Sequence, residues 1–417
     1  MTDTELLEHN EPAAQARTVH HSTPPTIGIN EISEIEERSY RIIESLRQSV
    51  FSPEKNKQLN LRFTISQASE MVGRTPQAIR DAEKKYEDFP TPTLAVTGRR
   101  RVYTLEDINA MRDHFGTRPN RSETDDAVVM AIANFKGGVA KSTITCHLAQ
   151  YFALRGYRVC VVDCDPQGST TVIFGVNPDL DIEADETLYP FLTNVDIETA
   201  EYAVRQTYFD GIWTIPANLE LYDAEYELAG MLANHQPEAL NRLKMGIDSI
   251  KQHFDIVLID PPPALGMISL SVLRAANALL VPVPPSTVDF ASTAHFFTML
   301  KDSLTLLEKY GFAAGYKFLK VLASKVDEGK SAHPEIIHMM QNVYGNIMLD
   351  GLMKDSAEID NASMRLMTVY ELEQPITSRD THNRCKAYLN AVNREIELEV
   401  RKTWPSHREA LRKDGLI

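Results

Sequence analysis

Apolar residues fall into two rhythms along this 417-residue chain. Continuous apolar runs read as buried strands at Val128-Val129-Met130-Ala131-Ile132-Ala133, at Tyr157-Arg158-Val159-Cys160-Val161-Val162 and at Phe254-Asp255-Ile256-Val257-Leu258-Ile259. Leu279-Leu280-Val281-Pro282-Val283 and Phe318-Leu319-Lys320-Val321-Leu322-Ala323 read the same way. Helical spacing lies between them, as from Thr143 to Arg155, where Ile144, Leu148, Tyr151, Phe152 and Leu154 recur. Strands without polar alternation, separated by helices, predict an α/β fold: a mostly parallel, doubly wound sheet with helices on its flanks.

The first 117 residues follow another pattern. Met1 to Gly28 is polar, rich in Pro, Thr and His, and reads as a disordered tail. Asn30 to Gln48 carries Ile32, Ile35, Ile42, Ile43 and Leu46 among charges, which predicts an amphipathic helix within 29–52, capped by Asn30. Its apolar stripe would pack on its own domain or pair with a second subunit. Phe63 to Arg80 reads as a helix-turn-helix: Ala68, Met71 and Val72 point inward, Gly73 makes the turn, Thr75 caps and Pro76 starts the second helix. Gln77, Arg80, Asp81 and Lys84 would then project from that second helix. Gly98-Arg99-Arg100-Arg101-Val102-Tyr103 reads as a basic turn into a strand, resembling a wing, and Thr104 with Asp107 as a capping box. A winged helix-turn-helix domain is therefore expected over 53–117, a linker over 118–126 and an α/β domain over 127–417. Gln77, Arg80, Lys84, Arg99, Arg100 and Arg101 are its candidate DNA contacts; a purely protein-binding module is the alternative.

Composition narrows the class. A net charge of −15 argues against a nucleic-acid partner until its distribution is read. Residues 61–121 hold 11 Arg or Lys against 8 Asp or Glu, a surplus of 3, which leaves −18 on the remainder. A locally basic module on an acidic chain suits phosphate contacts on one face. Cys146, Cys160, Cys164 and Cys385 show no CxxC spacing, so neither a zinc site nor a disulfide framework is indicated and a reducing cytoplasm fits. No apolar run approaches the ~18 residues of a membrane span.

The chemistry begins at Lys136-Gly137-Gly138-Val139-Ala140-Lys141-Ser142, between an apolar strand and a helix. Backbone N–H groups and the positive helix end would converge there on a phosphate, Lys141 would reach the outer phosphates, and Ser142 would ligate Mg²⁺. The generic pattern has Gly where this chain has Ala140, which is tolerable if that backbone is not left-handed. Downstream, Asp163-Cys164-Asp165-Pro166-Gln167-Gly168 closes one strand, and Asp260, followed by Pro261-Pro262-Pro263, closes another. An acid at that strand end is a Mg²⁺ holder or a turn cap.

These motifs, with Val281-Pro282-Val283-Pro284 and Thr368-Val369-Tyr370, resemble the deviant Walker ATPases of the ParA type over about residues 126–400. The long N-terminal region is similar to that of the large plasmid-partition class, and within it of the RepA partition proteins of repABC replicons. The resemblance implies an ATP hydrolase using ATP, ADP and Mg²⁺, with Lys136, Gly137, Gly138, Val139, Ala140, Lys141, Ser142 and Thr143 around the nucleotide. It implies that Lys136 reaches the partner's phosphates across a homodimer, Asp165 positions the water, and Ser142 and Asp260 serve the metal. Asp165 could instead be structural. Residues 166–175 and 261–269 would respond to the γ-phosphate. Implied partners are double-stranded DNA, both nonspecific and operator, and a ParB-type centromere-binding protein, in a cytoplasmic, nucleoid-associated setting. A basic C-terminal face with Arg379, Arg384, Lys386, Arg394, Arg401 and Lys402 could hold DNA, or be a salt-bridged surface with Glu395, Glu397 and Glu399. Alternatives are a nucleotide-sensing repressor with little turnover, and a MinD-type membrane-positioning ATPase, which the short polar segment Trp404–Asp414 fits poorly.

Overall fold

A computed structural model describes residues 28–50, 57–94, 101–178, 180–312 and 315–417. Most of the tail expected at 1–28 lies outside these residues, as do Arg99 and Arg100 of the basic turn. Residues 1–54 and 55–417 form two units. The first contains α1 (Ile29–Val50), which begins one residue before Asn30. Its start is capped by Glu31, whose carboxylate accepts from the Gly28 N–H at 2.9 Å. Glu34–Arg38 and Glu37–Arg41 pairs run along the helix, and Ile32, Ile35 and Ile42 are exposed.

The second unit opens with β1 (Phe63–Thr64), α2 (Ile65–Val72), α3 (Pro76–Lys85), β2 (Thr93–Leu94), β3 (Arg101–Tyr103) and α4 (Leu105–Phe115). Gly73 takes the left-handed conformation (φ +69°) that ends α2, Thr75 Oγ1 accepts from the Ala78 N–H, and Pro76 stands at the first position of α3. The strands form a small antiparallel sheet ordered β1-β3-β2. Ala68, Val72, Ile79, Ala82, Tyr103, Ile108 and Met111 are its private core.

The larger part is built on β4 (Val128–Ile132), α5 (Lys141–Arg155), β5 (Val159–Asp163), α6 (Ser169–Ile173), α7 (Tyr189–Thr193), β6 (Arg205–Gln206), β7 (Ile212–Ile215), α8 (Leu221–Ala233), α9 (Arg242–Ile250) and β8 (Ile256–Asp260). It continues with α10 (Met267–Ala275), β9 (Ala278–Val283), α11 (Thr287–Lys309), β10 (Phe318–Ala323), α12 (Ala332–Tyr344), α13 (Ala357–Ser363), α14 (Arg379–Lys402) and α15 (Arg408–Lys413). Its seven strands lie in the order β10-β9-β4-β8-β5-β7-β6, all neighbours parallel except the antiparallel edge pair β7–β6. Side chains alternate across each strand. Val128, Met130 and Ile132 face a core shared with Phe152, Leu389 and Trp404, while Val129 and Ala131 face another shared with Phe191, Leu243 and Phe296. This is the doubly wound sheet that the apolar runs predict. The two end strands β6 and β7 escape the hydropathy pattern because they offer only two and four residues.

The segment 118–126 is anchored along its length. Arg118 donates to the Gly156 carbonyl, Arg121 to the Phe254, Gln252 and Asp125 carbonyls, and Asp125 accepts from the Ser406 N–H. Acids of α14 are likewise used internally. Glu397 accepts from the Tyr151 and Tyr157 hydroxyls at 2.8 and 2.9 Å, and Glu395 from the backbone of Asp350 and Gly351. Glu399 pairs with Lys402 along the helix at 3.0 Å and with Lys320 of β10 at 3.6 Å. All four cysteines are free and buried.

Candidate active site

The carboxyl ends of β4, β5, β8 and β9 converge on one rim of the sheet, where open α/β folds place ligands. The loop between β4 and α5 is braced from both sides. Asn134 Nδ2 donates to the Pro282 carbonyl at 2.9 Å, Asn134 Oδ1 accepts from the Lys136 N–H at 3.0 Å, and Ser324 Oγ donates to the Val139 carbonyl at 3.1 Å. Gly137 and Gly138 are exposed on the loop, Val139 is buried beneath it, and Lys141 to Thr143 form the first turn of α5. Gly138 and Ala140 both have φ +75°. Ala140 therefore stands in the left-handed region that the sequence reading required it to avoid, at a cost of about 1 kcal/mol that glycine would not bear. The braces hold it there.

Lys141 is only 7 % exposed, and its ammonium donates to the Lys136 carbonyl at 3.3 Å. Burial pulls its pKa down, and the charges of Asp260 and Asp165 pull it partly back. Lys136 points elsewhere: its ammonium pairs with Asp289 in the first turn of α11.

Asp163 and Asp260 end β5 and β8 in register, side by side. Both are buried. Burial raises both carboxyls, and their proximity adds to the rise at Asp163. Their hydrogen bonds differ. Asp163 Oδ2 accepts from the Thr171 N–H at 2.9 Å and hydroxyl at 2.7 Å, and its Oδ1 from the Asp165 N–H at 3.1 Å. Asp260 Oδ2 accepts from the Thr170 hydroxyl at 2.6 Å, while its Oδ1 is buried with no hydrogen-bond partner among the described residues. The Ser142 hydroxyl and Lys141 are its other neighbours. An orphaned carboxylate oxygen beside a helix-start hydroxyl is a donor set that fits a hard divalent cation such as Mg²⁺.

Asp165 is half-buried, and its Oδ1 accepts from the Gln167 N–H at 3.0 Å. Gly168 (φ +61°) starts α6, and a Cβ there would stand 2.6 Å from Pro178 Cγ, so no larger residue fits. On the other side, Glu225 of α8 accepts from the N–H groups of Met267 and Ile268, capping α10 directly after the 261–266 loop. The fold thus gathers Lys136 through Thr143, Asp165 and Asp260 on one rim. Asp163, the first residue of the strand-end motif, joins them, and the fold adds Thr170, Thr171, Asn134, Ser324 and Asp289 from separate helices, strands and loops. Only Ser169-Thr170-Thr171 carried a hint, following directly on Gly168.

Gln77, Arg80 and Lys84 stand exposed on α3, opposite its buried Ile79 and Ala82. Gln77 Nε2 donates to Asp81 at 2.8 Å. Arg101 is drawn across α3 to Glu83 at 2.7 Å, and Tyr103 donates to the same carboxylate at 2.5 Å.

A parallel sheet with a glycine-bearing strand-to-helix loop, two lysines and carboxylates at adjoining strand ends defines a P-loop nucleotide-binding protein. An AAA-domain family model matches residues 127–306. SopA of Escherichia coli K12 is 35% identical over 350 residues, covering 82% of this chain and 87% of SopA. A protein of Rhizobium rhizogenes described as a replication protein A is 31% identical over 406 residues, covering 93% of this chain and 99% of that protein. A solved partition protein shares the fold with a TM-score of 0.63 at 21% identity, over 89% of this chain and 96% of the other. The chain belongs to the ParA-type plasmid-partition ATPases.

Proposed function

We propose that the chain partitions plasmid DNA in the bacterial cytoplasm by coupling Mg²⁺-dependent ATP hydrolysis to two modes of DNA binding. The observation that carries this reading is the unpartnered, buried Asp260 Oδ1 beside Ser142 and Lys141. Ser142 and Asp260 would hold Mg²⁺, which supplies charge neutralisation at the β- and γ-phosphates. Lys141 reaches the same oxygens, and the loop N–H groups from Gly137 to Ser142 cradle them. Asp165, which Gln167 holds in place, orients the attacking water. Lys136 leaves Asp289 to reach the phosphates bound by a second copy, so hydrolysis depends on a homodimer. The exposed stripe of α1 is a second contact between copies.

In this reading the ATP-bound dimer holds DNA nonspecifically, and a ParB-type centromere-binding protein stimulates hydrolysis and releases it. Gln77, Arg80, Lys84, Arg99, Arg100 and Arg101 read operator DNA in the ADP or nucleotide-free state and repress the partition operon. A membrane role has less support, because Trp404 and Leu411 of the C-terminal segment are buried within the fold.

Fluorescence anisotropy tests this at fixed, near-physiological salt, with random duplex and the upstream region of the chain's own gene, each with ATP, ADP or no nucleotide. ATP is expected to favour random DNA and ADP the upstream site. Binding of the upstream site alone, whatever the nucleotide, would leave a repressor in place of a motor. In an ATP-hydrolysis assay with DNA and the centromere-binding partner, Asp165→Ala should bind ATP and lose the partner-stimulated hydrolysis.

A further inference from the structure

Lys57 lies six residues ahead of β1, yet its ammonium is buried in the α/β part of the molecule; its side chain is 10% exposed. All three of its protons are used. It donates to the Ile173 carbonyl at 2.9 Å and the Leu366 carbonyl at 2.7 Å, and pairs with Glu371 Oε2 at 2.9 Å. The Tyr208 ring lies 4.3 Å below it. A buried ammonium persists only with such complete coordination, because each lost partner exposes a desolvated charge.

The partners define what is being joined. Ile173 is the last residue of α6, whose other end carries Thr170 on Asp260 and Thr171 on Asp163. Glu371 is fixed to α5: its Oε1 accepts from Gln150 Nε2 at 2.7 Å. The backbone beside it is tied to the same helix through the Val369 N–H and His147 Nε2 at 3.3 Å. α5 is the helix that starts at Lys141. The lysine therefore stands where the helix behind the two carboxylates meets the helix behind the phosphate loop. Its own backbone is the strand of chain leading to Phe63, and Leu59 on that strand packs against the same core.

We propose that Lys57 is a positioning residue that couples α6 to the entry of the winged module, so that a change at the γ-phosphate reaches β1 through this ammonium. The idea rests on the nucleotide-site reading above. If α6 shifts when Asp163 and Asp260 rearrange, the Ile173 carbonyl either carries the ammonium with it or leaves it short of a partner. In both cases residues 57–62 must adjust.

Hydrogen exchange on the full-length protein tests the coupling, with Mg²⁺ and either ADP or a non-hydrolysable ATP analogue, for wild type, K57M and K57R. In wild type, amides of 169–175 and of 58–64 should both change between nucleotides, by roughly tenfold in rate. In K57M the change at 169–175 should remain while that at 58–64 falls to within about twofold, and K57R should recover part of it, because the charge and its donors return. A wild-type response at 169–175 with none at 58–64 overturns the coupling alone. An undiminished response at 58–64 in K57M also overturns it. Silence at both segments with nucleotide bound removes the γ-phosphate reading and the coupling together.

Discussion

Asp163 and Asp260 are identical residues at equivalent strand ends, and their hydrogen bonds give them different tasks. Asp163 is satisfied by Thr171 and the Asp165 N–H, so it shapes the loop that carries Asp165. Asp260 keeps a bare oxygen at the cost of a buried, unsatisfied acceptor. Asp260→Asn should therefore leave the nucleotide-free protein as stable as wild type, or more stable by about 1 kcal/mol, because it removes one of two adjacent buried acids. It should also abolish the dependence of ATP affinity on Mg²⁺. Urea denaturation and titration calorimetry check the two halves, and a large loss of stability would show that the carboxylate is structural. Ala140 gives a second test at this scale. Ala140→Gly removes the left-handed penalty but loosens the unfolded chain, so a net gain of about 0.5 kcal/mol is expected. A loss would mean that the methyl packs more productively than its backbone is strained.

At the scale of elements, several junctions are fastened by a buried or half-buried carboxylate that caps a helix or bridges two segments, as Glu225, Glu395 and Glu358 do. Glu358 at the start of α13 shows this clearly. Its buried carboxylate accepts from the Ile376 N–H, from the Thr377 N–H and hydroxyl, and meets His382 Nδ1 at 2.7 Å, so it fastens the chain entering α14. Burial alone would raise its pKa, but the Thr377, His382 and Ile376 donors outweigh it and bring the carboxyl down from 4.5 to about 2. A depressed acid contributes stability above its unfolded pKa and loses it as the pH falls through the folded value. The wild type should thus lose stability between pH 4.5 and about 2. Glu358→Gln, lacking that titration, should show a flatter profile over the same window and a lower plateau at neutral pH. Chemical denaturation at several pH values measures both; parallel profiles would exclude Glu358 as their source.

At the scale of the molecule, Arg112 joins the winged module to the α/β part. Arg112 is 2 % exposed, and its guanidinium donates to the Met71 carbonyl at the end of α2, to Asn109 Oδ1, and to the Leu154 carbonyl near the end of α5. Asn109 in turn donates to Asp210 at 2.6 Å. Arg112→Met keeps much of the volume and strands these acceptors, which should cost about 2–3 kcal/mol. Equilibrium unfolding followed by two probes, one in each part, would show it. A cost below about 0.5 kcal/mol would mean that the two parts hold together without the guanidinium.

The sequence alone determined the layers, the strand-to-helix order and the phosphate loop, because hydropathy periods and short motifs are local properties of the chain. It placed the turn at Gly73, the cap at Thr75 and the capping box at Thr104 for the same reason. It could not determine that β6 and β7 complete the sheet, since runs of two and four residues carry no period. Nor could it separate the tasks of Asp163 and Asp260, show Ala140 in a left-handed conformation, or bring Lys57 to Glu371, 314 positions along the chain. Those outcomes depend on which groups meet in space after burial, where one missing hydrogen bond outweighs local preference.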